Sequence, residues 1–157
     1  MHNNKSVQRV KQNLAEKGLD QKIVYLPDSA RTAEEAATAI HCTIEQIAKS
    51  IVFQGKGTGK PYLVIASGIN RINEETITKE VNEPVKMATA NDVRDLTGFV
   101  IGGVAPVGHT KRLKVFIDED LLKHKKIWAA AGHPKAVFEL TPDDLKNLTN
   151  GQVISVK

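Results

Sequence analysis

The sequence is short of three things. It has one cysteine, Cys42, so no intramolecular disulfide can form and a reducing interior is the natural compartment. Aromatic residues are scarce, with four Phe, two Tyr and one Trp. A single-strand binder that stacks bases on aromatic platforms wants more of them, and the core must be built mainly from Val, Ile, Leu and Ala. No apolar run approaches the ~18 residues of a membrane helix. The opening "MHNNKSVQRVKQ" lacks the apolar stretch of a secretory signal. These absences lead to the expectation of a cytoplasmic protein with no membrane association.

What is present is ordinary for a globular chain: 157 residues, 41% hydrophobic and 25% charged. The length suits one domain over residues 1–157, and it can bury a core without covalent staples. The net charge of +4 permits a polyanionic partner without demanding one.

Val7, Val10 and Leu14 recur at helical spacing and predict a helix over 5–17, with Gly18 as its stop. "KIVYLP" reads as a strand ended by Pro27. Thr32 followed by Glu35 is a capping box, and Thr43 with Gln46 repeats it for a second short helix. "KSIVFQ" and "PYLVIAS" form a hairpin around "GKGTGK". Helices follow at 73–82 and 89–98, with a short strand "VKMA" between them. "LKVFID", "IWAAAG" and "KAVFELT" are strands, "EDLLKH" is a helical turn or two, Thr141 and Pro142 open a last helix, and "GQVISV" is a closing strand. Hairpins without steady βαβ alternation predict an α+β fold with a mixed, mostly antiparallel sheet.

Several motifs can be weighed for chemistry. "GKGTGK" tempts a phosphate-loop reading, but Gln54 stands where that pattern needs its first glycine and Pro61 where it needs Ser or Thr. A solvated hairpin tip is the better reading. The five histidines, His2, His41, His109, His124 and His133, pair neither with one another nor with Cys42 at metal-ligand spacing, so no metal or other cofactor is expected. His109 and His133 each follow a glycine and read equally well as polar loop residues or as groups held beside exposed backbone. No nucleophile is marked, which leaves water as the attacking group if the protein is an enzyme. Lys49 enters an apolar strand, where it is either solvated like most lysines or aimed into a cleft at a phosphate or carbonyl oxygen. In "IGGVAPVGHTKR" the glycines bare the main chain and Pro106 stiffens it. Such a loop is either a tight connection or a set of amides facing an oxyanion.

Lys49 in "IEQIAKSIVF", "GGVAP" at 102–106, "KRLKVFID" at 111–118 and "AAGHP" at 130–134 occur in an order that resembles the YbaK/prolyl-tRNA synthetase-associated domain family. These are trans-acting aminoacyl-tRNA deacylases and the related editing insertions of prolyl-tRNA synthetases. The resemblance runs from "TAEEAA" to the C-terminal helix. It implies a sheet curled into a partly closed barrel with flanking helices. It also implies metal-free hydrolysis of the ester that joins a wrong amino acid to the tRNA 3′ adenosine. Lys49, Gly102 and His133 then match catalytic positions. Tyr25, Gly103, Val104, Ala105, Pro106, Ala130, Ala131 and Gly132 match substrate-binding ones, and Lys111 and Arg112 become tRNA contacts. The implied partners are the 3′ acceptor end of an aminoacyl-tRNA and an aminoacyl-tRNA synthetase. "AAGHPK" replaces the "SGGKRG" of the Cys-tRNA(Pro) deacylases, with Ala130 in place of a serine, which points to removal of alanine or another small residue. The rival expectation is a non-catalytic module that binds tRNA or a synthetase.

Overall fold

The computed structural model describes residues 4–30 and 32–157, so His2 lies outside the described residues. Helix α1 spans Lys5–Glu16 and is capped by the Asn4 side chain, which accepts from the Ser6 and Val7 amides at 2.8 and 3.3 Å. Its buried stripe is Val7, Val10 and Leu14. β1 is Ile23–Tyr25. α2 (Ala33–Ala39) opens on the capping box: Thr32 Oγ1 accepts the Glu35 amide, and the Glu35 carboxylate accepts the Thr32 amide. The short helix expected at Thr43 is a 3₁₀ turn, Ile44–Gln46, because strand β2 (Ile47–Gly55) begins immediately after it. Lys49 is therefore the third residue of a nine-residue strand.

β3 (Pro61–Ser67) completes the hairpin. Its tip carries an anion after all, but the anion is the protein's own. The Glu83 carboxylate accepts from the amides of Gly57 and Thr58 at 3.0 Å each, from Thr58 Oγ1 at 2.6 Å and from the Tyr62 hydroxyl at 2.8 Å. Those donors hold its pKa down at about 2. Next come α3 (Glu74–Val81), β4 (Val85–Met87), α4 (Ala90–Thr97) and β5 (Lys114–Asp118). A 3₁₀ segment, Glu119–Lys123, precedes β6 (Ile127–His133), β7 (Ala136–Leu140), α5 (Pro142–Thr149) and β8 (Gln152–Ile154).

The strands form one mixed sheet in the order β1-β7-β6-β2-β3-β5-β8, with β4 joined to β2. β1–β7, β7–β6, β2–β3 and β2–β4 pair antiparallel, while β6–β2, β3–β5 and β5–β8 pair parallel. The expected curl into a partly closed barrel has no counterpart in this ladder, which runs open from β1 to β8. One face buries Val52, Leu63, Ile65, Phe99 and Phe138 under α1. The other buries Phe53, Val64, Ala66, Ile77 and Phe116.

Candidate functional site

The two edges of β2 are used differently. One edge pairs with β3 along seven residues, Ala48 to Gln54. The other pairs with β6 only at Ile47 and Ala48, and with β4 only from Phe53 onward. Between those ladders the sheet is split. The split opens into a cavity of about 340 Å³ whose floor is Lys49, Ser50, Ile51 and Val52. α2 contributes Ala33 and Ala36 to the wall, β6 contributes Trp128 and Ala130, and the glycine-rich loop contributes Gly102 and Val104. Met87 and Ile101 form an apolar rim and are more than half exposed.

Among the described lining residues Lys49 carries the only charge, and none is Asp, Glu or His. The cleft therefore offers a cation, hydroxyls and main-chain groups, but no carboxylate or imidazole to act as a general base. Burial pushes the Lys49 ammonium below its ordinary pKa, and the negative charge of Asp118 acts in the opposite direction. Register explains that coupling. Lys49 is opposite Ala66, and the parallel β3–β5 ladder ends at Ile65 and Ile117, so Ala66 and Asp118 are the next residues beyond its last pair and continue the row from Lys49 across the sheet. Ala66 is a small side chain between two charged ones. Asp118 is fully buried, and its carboxylate accepts from the Ser67 amide, the Asn70 side chain and the Asp120 amide at 3.1, 2.7 and 2.9 Å.

The glycine-rich loop is braced from several sides. Gly103 N–H donates to Val100 O at 2.9 Å and closes a turn whose third residue, Gly102, has φ +85°. Gly103 is pressed so closely onto the end of β6 that a Cβ there would lie 2.9 Å from the His133 Cα. Arg9 of α1 donates to Gly108 O at 2.7 Å and to Gly98 O at 2.9 Å, and its guanidinium sits 4.6 Å from the centre of the Phe99 ring. His109 turns inward. Its Nε2 is 2.7 Å from Ala105 O, its ring meets Phe99 edge-on, and burial holds its pKa below the ordinary histidine value. The ring is therefore neutral and donates through Nε2 to the loop's own carbonyl. The amides of Gly102 and Val104 make no hydrogen bond among the described residues.

Comparison with known proteins assigns this architecture. The model of the aminoacyl-tRNA editing domain matches residues 27–148. The chain belongs to the aminoacyl-tRNA editing domain family. It is 28% identical to the uncharacterised protein YwhH of Bacillus subtilis over 148 residues, covering 94% of each chain. It is also 28% identical over 126 residues to EbsC of Enterococcus faecalis, which is provisionally named a Cys-tRNA(Pro)/Cys-tRNA(Cys) deacylase; the match covers 80% of this chain and 76% of EbsC. A crystal structure described, also provisionally, as a trans-editing enzyme for prolyl-tRNA synthetase superposes with a TM-score of 0.92 at 46% identity, covering 98% of both chains.

Within this editing domain the positions expected from the sequence divide into two groups. Lys49, Gly102, Val104 and Ala130 line the cleft together. The others lie outside its lining. Ala105 and Ala131 are fully buried in the core, and Tyr25 packs against that core. Gly132, at φ +97°, forms part of a bulge in β6, where a Cβ would meet Ser6 O at 2.8 Å; its bareness lets α1 dock. The His133 ring faces its own hairpin turn, where Nδ1 accepts the Lys135 amide at 3.0 Å. Pro106, Lys111 and Arg112 line a separate open groove of about 570 Å³ that also holds Lys17 and Lys114. Arg9, Ser50 and Asp118 escaped sequence reading. Their roles depend on contacts between distant segments, and only the "FID" strand end hinted that Asp118 closes a buried row.

No group of three or more His, Cys, Asp or Glu side chains that could hold a metal occurs among the described residues. No helix there is long and apolar enough to cross a membrane.

Proposed function

We propose that this editing domain hydrolyses, in trans and in the cytoplasm, the ester of a mischarged aminoacyl-tRNA carrying a small amino acid such as alanine, on tRNA-Pro or a similar tRNA. The observation that carries this reading is that Lys49 lines one apolar cleft together with Gly102 and Val104, whose amides make no hydrogen bond among the described residues. In this reading the terminal adenosine ester enters the split between β6 and β4. Lys49 holds phosphate or ribose oxygens near the ester. The loop amides meet the carbonyl oxygen and stabilise the tetrahedral oxyanion, each donor being worth about 3 kcal/mol. Water adds to the carbonyl carbon and the bond to the ribose oxygen breaks. The ribose regains its hydroxyl with one of the water protons, and the amino acid leaves as carboxylate with release of the other. An aminoacyl ester is labile enough for positioning and oxyanion binding to suffice without a strong base. His133 supports the loop through its main chain beneath Gly103.

Small-residue preference follows from apolar walls without an acidic lining residue and from Ala130 in the wall, with bulkier side chains excluded sterically. The groove of Lys17, Lys111, Arg112 and Lys114 suits the phosphate backbone of the acceptor stem. The deciding experiment is deacylation of a panel of mischarged tRNAs by the wild-type chain and by Lys49→Ala. The variant is expected to lose at least about 100-fold in rate, on the scale of a removed transition-state contact, and activity is expected to fall steeply with salt. Unchanged rates in Lys49→Ala would remove Lys49 from the mechanism. Protection of the ester with no turnover would favour a non-catalytic tRNA-binding module.

A further inference from the structure

The split beside β2 has a polarity that the loop does not explain. Gly68 N–H bonds Ile47 O, and Gly55 N–H bonds Lys60 O, on the β3 side. The β2–β3 register is unbroken, so the odd-numbered residues of β2 turn their main-chain groups toward β3. The even-numbered residues turn theirs the other way, as the bond from Ala88 N–H to Val52 O confirms. On that second edge Ala48 is paired with β6, while Val52 and Gln54 meet the β4 segment. Among the described residues Ser50 alone falls in the split, with N–H and C=O directed into it and no ladder partner there. Its hydroxyl oxygen is also buried without a hydrogen-bond partner among the described residues. A native structure keeps few such orphans, and this one lies on the floor of the cleft.

An aminoacyl group has the donors and acceptor of one strand residue: an ammonium, a carbon bearing the side chain, and a carbonyl. We propose that Ser50 is its docking residue. Ser50 C=O accepts from the α-ammonium and Ser50 N–H donates to the ester carbonyl oxygen, so the amino acid pairs with β2 as a one-residue strand between β6 and β4. This rests on the deacylase reading and deepens it. From Ala48 to Val52 the strand runs about 13 Å, room for one aminoacyl residue and its ribose. Recognition is by main-chain pairing, as when a peptide is added to a sheet edge, and the cleft walls sort side chains. The strand amide also adds a donor to those of the loop at the developing oxyanion.

Amide hydrogen exchange on the whole chain tests this. In the free protein Ser50 N–H is expected to exchange at least tenfold faster than those of Lys49 and Ile51, which face β3. An acceptor-stem RNA minihelix with alanine joined to its 3′ end by a stable amide is expected to slow Ser50 by tenfold or more. A propionyl minihelix, lacking the α-amino group, is expected to leave it fast. A Ser50 amide as protected as Ile51 in the free protein would overturn the proposal, as would equal protection by both probes. Ester substrates separate this failure from failure of the function. With rates taken relative to uncatalysed hydrolysis, the proposal expects the alanyl ester to be favoured tenfold or more over the propionyl ester. Equal acceleration of both sinks the Ser50 assignment and leaves a deacylase. No acceleration of either sinks the deacylase reading, and the Ser50 assignment with it.

Discussion

Substituting alanine at two neighbouring glycines separates conformational from steric demands on the loop. At Gly103 an added Cβ would lie 2.9 Å from both Cα and C of His133 and 3.0 Å from its N. These are backbone atoms of a paired strand, so they cannot rotate away. Restoring an ordinary contact means lifting the loop off β6 by about 0.5 Å or more, and overpacking of this kind costs roughly 1–3 kcal/mol. At Gly102 the same Cβ would meet only Pro134 at 3.8 Å, an ordinary contact. The cost there is the left-handed backbone at φ +85°, about 1–2 kcal/mol. For a chain of this size each kcal/mol is worth about 2–4 °C in Tm. Gly103→Ala also moves the loop amides relative to Lys49, and a misplacement approaching 1 Å can cost on the order of 100-fold in rate. Thermal unfolding and kcat/KM on alanyl-tRNA, measured for both variants, give the comparison. Gly103→Ala is expected to lose activity through kcat while remaining folded. Wild-type kcat and Tm in Gly103→Ala would refute the claim that the loop is seated on β6.

Two further outcomes follow from the charges. His109 is buried and neutral, with its folded pKa below the ordinary 6.5 and Arg9 beside it. Its stabilising effect is complete above about pH 6.5 and declines as pH falls from there toward the folded value, because the unfolded chain takes up the proton first. Denaturation midpoints at pH 7.5 and 5.5 should differ less in His109→Gln than in wild type; an equal drop in both would refute this. Asp118→Asn removes the charge that supports the Lys49 ammonium. The alkaline loss of deacylation should therefore begin at lower pH in the variant, and an unmoved limb would uncouple the two residues.

Much of the local structure could be read in the sequence because its signals are local. Thr32, Thr89 and Thr141 each accept the amide three residues on, and Gly98 ends its helix at φ +80°. Strand order could not be read this way. The parallel pairs β2–β6, β3–β5 and β5–β8 join segments far apart in the chain, and no local spacing encodes them. The same divide runs through the cleft. Gly102 and Lys49 drew attention because glycine density and a lysine inside an apolar strand are visible one-dimensionally. Ser50 and Asp118 acquire meaning only from register, one by facing a split in the ladder and the other by closing a row with Lys49. His109 shows the reverse case: its place beside a glycine read equally well as a ligand group, and folding turned the ring against Phe99 to brace the loop.

Arg9 draws a line that sequence matching alone misses. The family model begins at residue 27, yet the guanidinium that ties together both ends of the glycine-rich loop comes from α1, eighteen positions earlier. The segment matched by the family model and the mechanical unit are therefore different sizes. A version of this protein trimmed to the matched segment would keep every residue that lines the cleft except Leu26, and lose the buckle that keeps its loop taut.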